Sequence, residues 1–543
     1  MEVGIGHRKD VGSSTKCDDE IYDAVYNEGS SSSVSSTTIP VQLHRRRRHP
    51  LVYYVPRIFQ FAKDNVVDGD APHHPVEATG LALCSIAKGA ASMSTIFLGP
   101  ALLRLARDAS ISPDGSNCDD EYDDDSTCRV YGMRPTSLLS NIGVFGGLLS
   151  CALIPLFGSI VDHTPHRLRV GRMSAFILTS IKGIEVSVGR NTWHVVSALQ
   201  VANMAVYNAY LVTTYSYTAE LSRVPSDQTI YNARFQLLYY ASMLTFLISV
   251  MTISTSFGMN DVATARVSQI LAFSSCAIVF SISWSSFFDP RPASSDVPPG
   301  LSIAKSGYNK LMSTVESMRY DRRRRAIRLF LSSASLSEAA TSALATISTT
   351  YMIHVLDMNA SQIGIAFLCV FVSGVPGSKL GGLVGSRWNP LRSALACLFV
   401  FVVNTTLAAC AIRGPEDRIA MYGFAAVWGV CLAWLHPTHA SLYCTIIPKG
   451  QEGEFMGLYI FSGSVLAWLP PFLFSFLNEF GASMNIGLAS LNAFFVGGFA
   501  LLYMIGDYDD AVGLAQIEDD SICMASHRCG LDGAASTIIP ELT

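Results

Sequence analysis

Apolar residues in this chain gather into runs of roughly 20, and the runs recur from about residue 79 to 505. At 1.5 Å of rise per residue, a run of that length matches a hydrocarbon core ~30 Å thick. In such a medium each backbone N–H and C=O must be bonded inside its own segment, so every run reads as a helix. Twelve spans fit: about 79–103, 137–161, 173–189, 193–217, 236–257, 267–288, 327–353, 361–384, 393–412, 420–446, 455–477 and 485–505. The third is the most polar, because it holds Lys182 and Glu185. Composition agrees: of 543 residues 50% are hydrophobic and only 15% charged, against about 25% charged in a soluble domain.

Several function classes fall away on the same page. A formal net charge of −5 gives no footing for nucleic acid. The 13 Cys form no C-x-x-C pair, so neither a zinc site nor a redox dithiol is expected. No catalytic triad, phosphate loop or nucleotide motif is present. The expectation is a non-enzyme with no metal and no cofactor, whose partners are the lipid bilayer and a small solute driven by gradients.

Loops set orientation. Loops 2–3, 4–5, 6–7, 8–9 and 10–11 carry about twice as many Lys and Arg as the other set, which predicts that they and both termini are cytosolic. Residues 1–76 are polar and Ser-rich, with Arg45 to Arg48, and read as a disordered cytosolic tail without a cleaved signal peptide. Residues 289–326 form a basic central loop between two six-span halves, 77–288 and 327–505, and 506–543 form a cytosolic tail. Asn359-Ala360-Ser361 is a glycan acceptor pattern in loop 7–8, on the non-cytosolic side. Loop 1–2 is acidic from Asp119 to Asp125 and holds Cys118 and Cys128, which are either a short lumenal disulfide clamp or two free thiols.

The two halves share a local pattern. Gly158-Ser-Ile-Val-Asp162 is followed by Arg167 and Arg169, and Gly381-Gly-Leu-Val-Gly385 by Arg387 and Arg392. Gly158 and Gly381 lie 223 residues apart, as do Arg169 and Arg392. Glycine would let two spans approach closely, and Asp162 would cap a helix end and pair with Arg, latching the cytosolic side. Gly385 stands where the second Asp would sit, which weakens that copy.

This pattern resembles the loop signature of the major facilitator superfamily. A more specific likeness follows. Ile447 to Tyr459, reading IPKGQEGEFMGLY, is similar to the loop between spans 10 and 11 of the autophagy-related vacuole effluxer family, a branch of that superfamily. Glu77-Ala-Thr-Gly80, Gly99-Pro100, Leu105 to Asp108, Tyr207-Asn208-Ala209-Tyr210-Leu211, Ser337-Glu338 and Asp507 fall in matching order over about 77–515. The likeness implies an all-α membrane protein, a twelve-span major-facilitator-type helical bundle in two six-helix halves. It further implies export of amino acids from the vacuole, linked to autophagy. Ala440 and Ser464 stand where family members often carry Arg and Lys, and Val212 where Pro is usual after Leu. Those departures leave open a second reading, a membrane sensor or scaffold that kept the fold and lost its substrate charges.

Candidate solute-binding residues are polar groups near mid-span. Lys88 in span 1 and Glu338 in span 7 sit at similar depth in pseudo-equivalent helices and are expected to face one cavity. Lys182 and Glu185, three apart, are expected to pair with each other. Span 4 carries Asn203, Tyr207, Asn208 and Tyr210, suited to an amino or carboxylate group or to hydrogen bonds between helices. Span 10 carries Trp434, His436, Pro437 and His439; Pro437 is expected to kink it, and either His, or Glu338, could carry a coupled proton. Two His without acidic companions make a poor metal site.

Overall fold

The computed structural model describes residues 75–111, 128–219, 221, 225–291, 293, 302–320, 324–447 and 452–513. All twelve expected spans are helical. Spans 1 to 6 are Pro75–Asp108, Leu138–His163, Arg167–Glu185, Trp193–Ala219, Pro225–Ser256 and Asp261–Ser286. Spans 7 to 10 are Arg325–His354, Ala360–Trp388, Pro390–Ala411 and Arg418–Ile446. Spans 11 and 12 are each broken, into Glu452–Val465 with Leu469–Glu479 and Met484–Ala489 with Leu491–Tyr503. The break in span 11 falls where Pro470 and Pro471 open the second piece, since proline cannot donate back into a preceding turn.

Ten of the spans are apolar enough to cross a membrane on composition alone; spans 3 and 7 are not. Span 7 hides its polarity. Ser335, Ser337, Thr341, Ser342 and Thr349 donate their hydroxyls to carbonyls three or four residues back in their own helix. A Ser- and Thr-rich helix can thereby sit in the core without stranded donors.

The basic connection between the halves is not a simple loop. It carries a further helix, Ile303–Tyr320, packed along span 2. Ser159 Oγ donates to the Ile303 carbonyl at 2.5 Å, Ser306 Oγ meets His163 Nε2 at 3.2 Å, and Tyr308 bonds the Ala152 carbonyl.

Packing repeats between the halves. Span 1 lies on spans 5 and 6 as span 7 lies on 11 and 12; span 2 packs on 4 as 8 on 10; span 3 packs on 4 and 6 as 9 on 10 and 12. The 223-residue sequence echo is therefore a real structural repeat. Spans 8 and 10 come closest, through glycine. A Cβ on Gly377 would lie 2.7 Å from Val430 Cα, and one on Gly429 would overlap the Val370 carbonyl. Apolar burial supplies no net drive between helices in lipid, so such close backbone approach is what holds them.

Candidate functional site

A cavity of about 300 Å³ lies between the two halves, lined by spans 1, 2, 4, 7 and 8. Span 4 supplies Gln200, Asn203 and Tyr207, spaced three and four apart and so on one helical face. Span 1 supplies Ser92 and Thr95, and span 7 supplies Thr346 and Thr349. Ser92 Oγ donates to the Tyr207 hydroxyl at 3.3 Å. Gln200 Nε2 donates to Glu185 Oε1 at 2.6 Å, and Lys182 Nζ donates to Glu185 Oε2 at 3.0 Å. Lys182 and Glu185 are fully buried, so the expected pair forms and lies directly behind the cavity wall. Glu185→Leu would leave Lys182 buried and unpaired, at ~3–5 kcal/mol. The melting temperature in detergent should fall sharply in that variant and recover largely in the double Lys182→Met/Glu185→Leu protein.

The rest of the span-4 stripe turns away from this space. Asn208 Nδ2 donates to the Met204 carbonyl of its own helix at 3.1 Å. Tyr210 is buried against Phe280 and Trp284 of span 6, at 5.2 and 6.2 Å between ring centroids. Gln200, which extends the stripe one turn earlier, lines the cavity instead. Its signal was in the sequence, three residues before Asn203.

Lys88 and Glu338 do not meet. Lys88 Nζ sits 4.4 Å from the centroid of the Tyr239 ring of span 5, a cation–π contact that offsets its desolvation. Glu338 Oε1 lies 3.2 Å from His436 Nδ1 and 3.7 Å from His439 Nδ1. His439 is wholly buried, neither ring nitrogen hydrogen-bonded among the described residues, edge-on to Phe330 at 5.5 Å. This acid–imidazole cluster joins spans 7 and 10 outside the cavity lining. Trp434 serves packing, its Nε1 donating to Ser393 Oγ at 2.9 Å.

At the expected latch, the paired glycines differ. A Cβ on Gly381 would lie 2.7 Å from Trp434 Cδ1, whereas Gly158 faces open space, so close approach holds only in the second half. Arg169 and Arg392 are exposed. Arg167 is buried, its guanidinium 5.6 Å over the Tyr217 ring. The Asp162 side chain lies outside what is described, as do Cys118 and Asp119 to Asp125. Cys128 is buried and disulfide-bonded. Sequence reasoning missed one ion pair at this end, Arg291 Nη2 to Glu77 Oε2 at 2.7 Å, which ties the close of span 6 to the start of span 1.

At the opposite end, where spans 1 and 2 join, the halves are bonded to each other. Asn478 Nδ2 donates to Thr136 Oγ1 and Ser137 Oγ at 2.6 and 2.7 Å. Glu479 Oε1 accepts from Ser137 Oγ and the Arg134 N–H, at 2.8 and 2.9 Å. Ser475 donates to Asn141 at 2.7 Å, and across spans 6 and 8 the Ala360 N–H donates to Asp261 Oδ1 at 3.0 Å. Among the described residues, the hydrogen bonds that join the two six-span halves gather at this end.

Residues 218–509, more than half of the chain, match the family model described as vacuole effluxer Atg22 like. The chain belongs to this family. Autophagy-related protein 22 of Yarrowia lipolytica is 27% identical over 128 residues, 22% of this chain and 21% of that protein's length. Three solved transporters share the fold. A point mutant of the nucleoside transporter NupG is 12% identical with a TM-score of 0.55, covering 79% of this chain and 98% of its own. The human organic anion transporter MFSD10 is 13% identical with a TM-score of 0.54, covering 79% and 100%. A point mutant of the peptide transporter POT, in complex with sulfate, is 13% identical with a TM-score of 0.54, covering 80% and 95%. The major-facilitator fold expected from the loop motifs is thus the observed one. Family and apolar helices together make this Atg22-like chain a multi-pass protein of the vacuolar membrane.

Proposed function

We propose that this protein is a secondary-active transporter that exports small neutral amino acids from the vacuole by alternating access, in support of autophagy. The observation that carries the reading is a largely apolar cavity with a few polar side chains, set between two repeated halves whose mutual hydrogen bonds, among the described residues, gather at one end. That is the arrangement of one closed gate, with the spans free to part at the other end. The loop charges put the closed end in the lumen, so this conformation faces the cytosol. A space of about 300 Å³ suits a solute of amino-acid size. Glu338, against His436 and His439, is the place for a coupled proton, because a carboxylate and imidazole at 3.2 Å can exchange one as the helices move.

Uptake of a panel of radiolabelled amino acids into proteoliposomes, with and without a pH gradient, tests this. Gradient-stimulated uptake of neutral amino acids is the expected result; absence of uptake for the whole panel would return the protein to the sensor reading. Orientation is tested separately. Glu416 is exposed in loop 9–10, and a cysteine there should react with an impermeant maleimide only from the lumenal side of sealed vacuoles. Labelling from the cytosolic side reverses the topology.

A further inference from the structure

The cavity has a chemical polarity that its lining makes specific. None of the residues that line it carries a formal charge. Gln200 and Asn203 are each 8% exposed, so both amides are more than nine-tenths buried. A glutamine amide can normally turn either end toward a ligand, but here one end is taken. Glu185 accepts from Gln200 Nε2 with one oxygen and from Lys182 Nζ with the other, so the Gln200 NH2 is the end that faces it. What Gln200 presents to the cavity is its carbonyl oxygen, which has no partner among the described residues. One turn on, Asn203 makes no hydrogen bond with any described group; its Oδ1 is buried without a partner, and no bond holds the amide in that orientation, so it can turn its oxygen toward a donor in the cavity. A buried, unpaired amide oxygen is costly to leave unsatisfied, and the cost is recovered when a donor arrives.

We propose that Gln200 and Asn203 form a subsite for the protonated amino group of the solute, with Glu185 and Lys182 behind them as positioning residues. This rests on the cavity being the transport site. It deepens that reading by naming the group that is recognised: a primary ammonium, read by two amide oxygens with Lys182–Glu185 fixing the direction of one of them. Hydroxyl-bearing neighbours complete the cradle, with Ser92 and Tyr207 on one side and Thr346 and Thr349 on the other. An oxygen pair without a carboxylate accepts an ammonium group and leaves a solute free to dissociate, as transport requires.

The test uses the purified full-length protein in detergent and follows its melting temperature with three ligands of one shape: leucine, isoamylamine and 4-methylpentanoate. The amine-bearing two should stabilise the protein and the carboxylate alone should not. Asn203→Leu strands no partner and should weaken amine binding at least about tenfold while the unliganded melting temperature holds. Gln200→Leu should weaken amine binding as much, but it strands the buried Glu185 Oε1 and should lower the unliganded melting temperature; if it fails to fold, the Asn203 series stands alone. Asn203→Asp can only accept, and it should keep the amine preference. Equal binding of 4-methylpentanoate, unchanged amine binding in Asn203→Leu, or loss of binding in Asn203→Asp overturns the proposal. If isoamylamine binds through Asn203 but no amino acid is carried into proteoliposomes, the subsite stands and the amino-acid transport reading falls.

Discussion

Glu338→Gln is expected to lower amino-acid uptake by about 10–100-fold and to remove its dependence on a pH gradient, while the folded protein accumulates nearly as before. Among the described side chains, Glu338 is the only carboxylate away from the ends of spans 7 to 12. Its oxygen lies between His436 and His439 Nδ1, its Cβ and Cγ pack 3.8 Å from where a Cβ on Gly463 would stand, and 16% of its side chain remains exposed. Glutamine keeps the shape, so packing across spans 7, 10 and 11 is retained. What it removes is the ability to hold and release a proton. The matched measurement is uptake at two external pH values in liposomes of equal protein content. Wild-type uptake in Glu338→Gln would remove the proton role from this cluster; loss of folded protein instead would make it a structural ion pair, with the ~3–5 kcal/mol cost of breaking one.

Gly429→Ala should be among the most damaging single-methyl changes in the chain. Its new Cβ would overlap the Val370 carbonyl and the Ser373 hydroxyl of span 8. A carbonyl on a packed helix cannot swing aside, so spans 8 and 10 must separate. Overpacking of this kind costs about 1–3 kcal/mol, and the loss spreads to the neighbouring contact of Gly377 with Val430. Gly423 gives the control within the same helix, since a Cβ there meets nothing within 4 Å. Gly423→Ala should be neutral or gain up to ~1 kcal/mol from helix propensity. Melting temperatures of the two variants in detergent should therefore move apart; equal values would show that spans 8 and 10 are not held at the glycine seam.

Much of this architecture was legible along the chain. Each of the twelve apolar runs became a helix because hydrophobic length is a one-dimensional property, and a bilayer admits one backbone solution for it. The breaks in spans 11 and 12 were less legible, since an apolar run continues across Pro470 and Ser490 while the backbone does not. The helix at Ile303–Tyr320 was missed because it lies in a polar stretch and is held by contacts to span 2, such as Ser159 with Ile303. Lys182 with Glu185 could be paired from spacing alone, being neighbours on one helical turn.

Partners between helices were another matter. Spacing puts Asn203 and Tyr207 on one face, but it cannot say that the face meets a cavity, or that Tyr210 is turned to span 6. Equal depth suggested Lys88 opposite Glu338, yet depth fixes only one coordinate of three. The rotation of each helix and the choice of neighbour come from packing, and packing set Lys88 on Tyr239 and Glu338 on His436. The sequence by itself determined the helices, their repeat and the family, because those follow from local composition and from motifs contiguous in the chain. Only the tertiary structure decided which buried polar groups face each other. In a low-dielectric interior that pairing is fixed by contacts of a few ångströms between residues far apart in sequence, and no pattern along the chain encodes them.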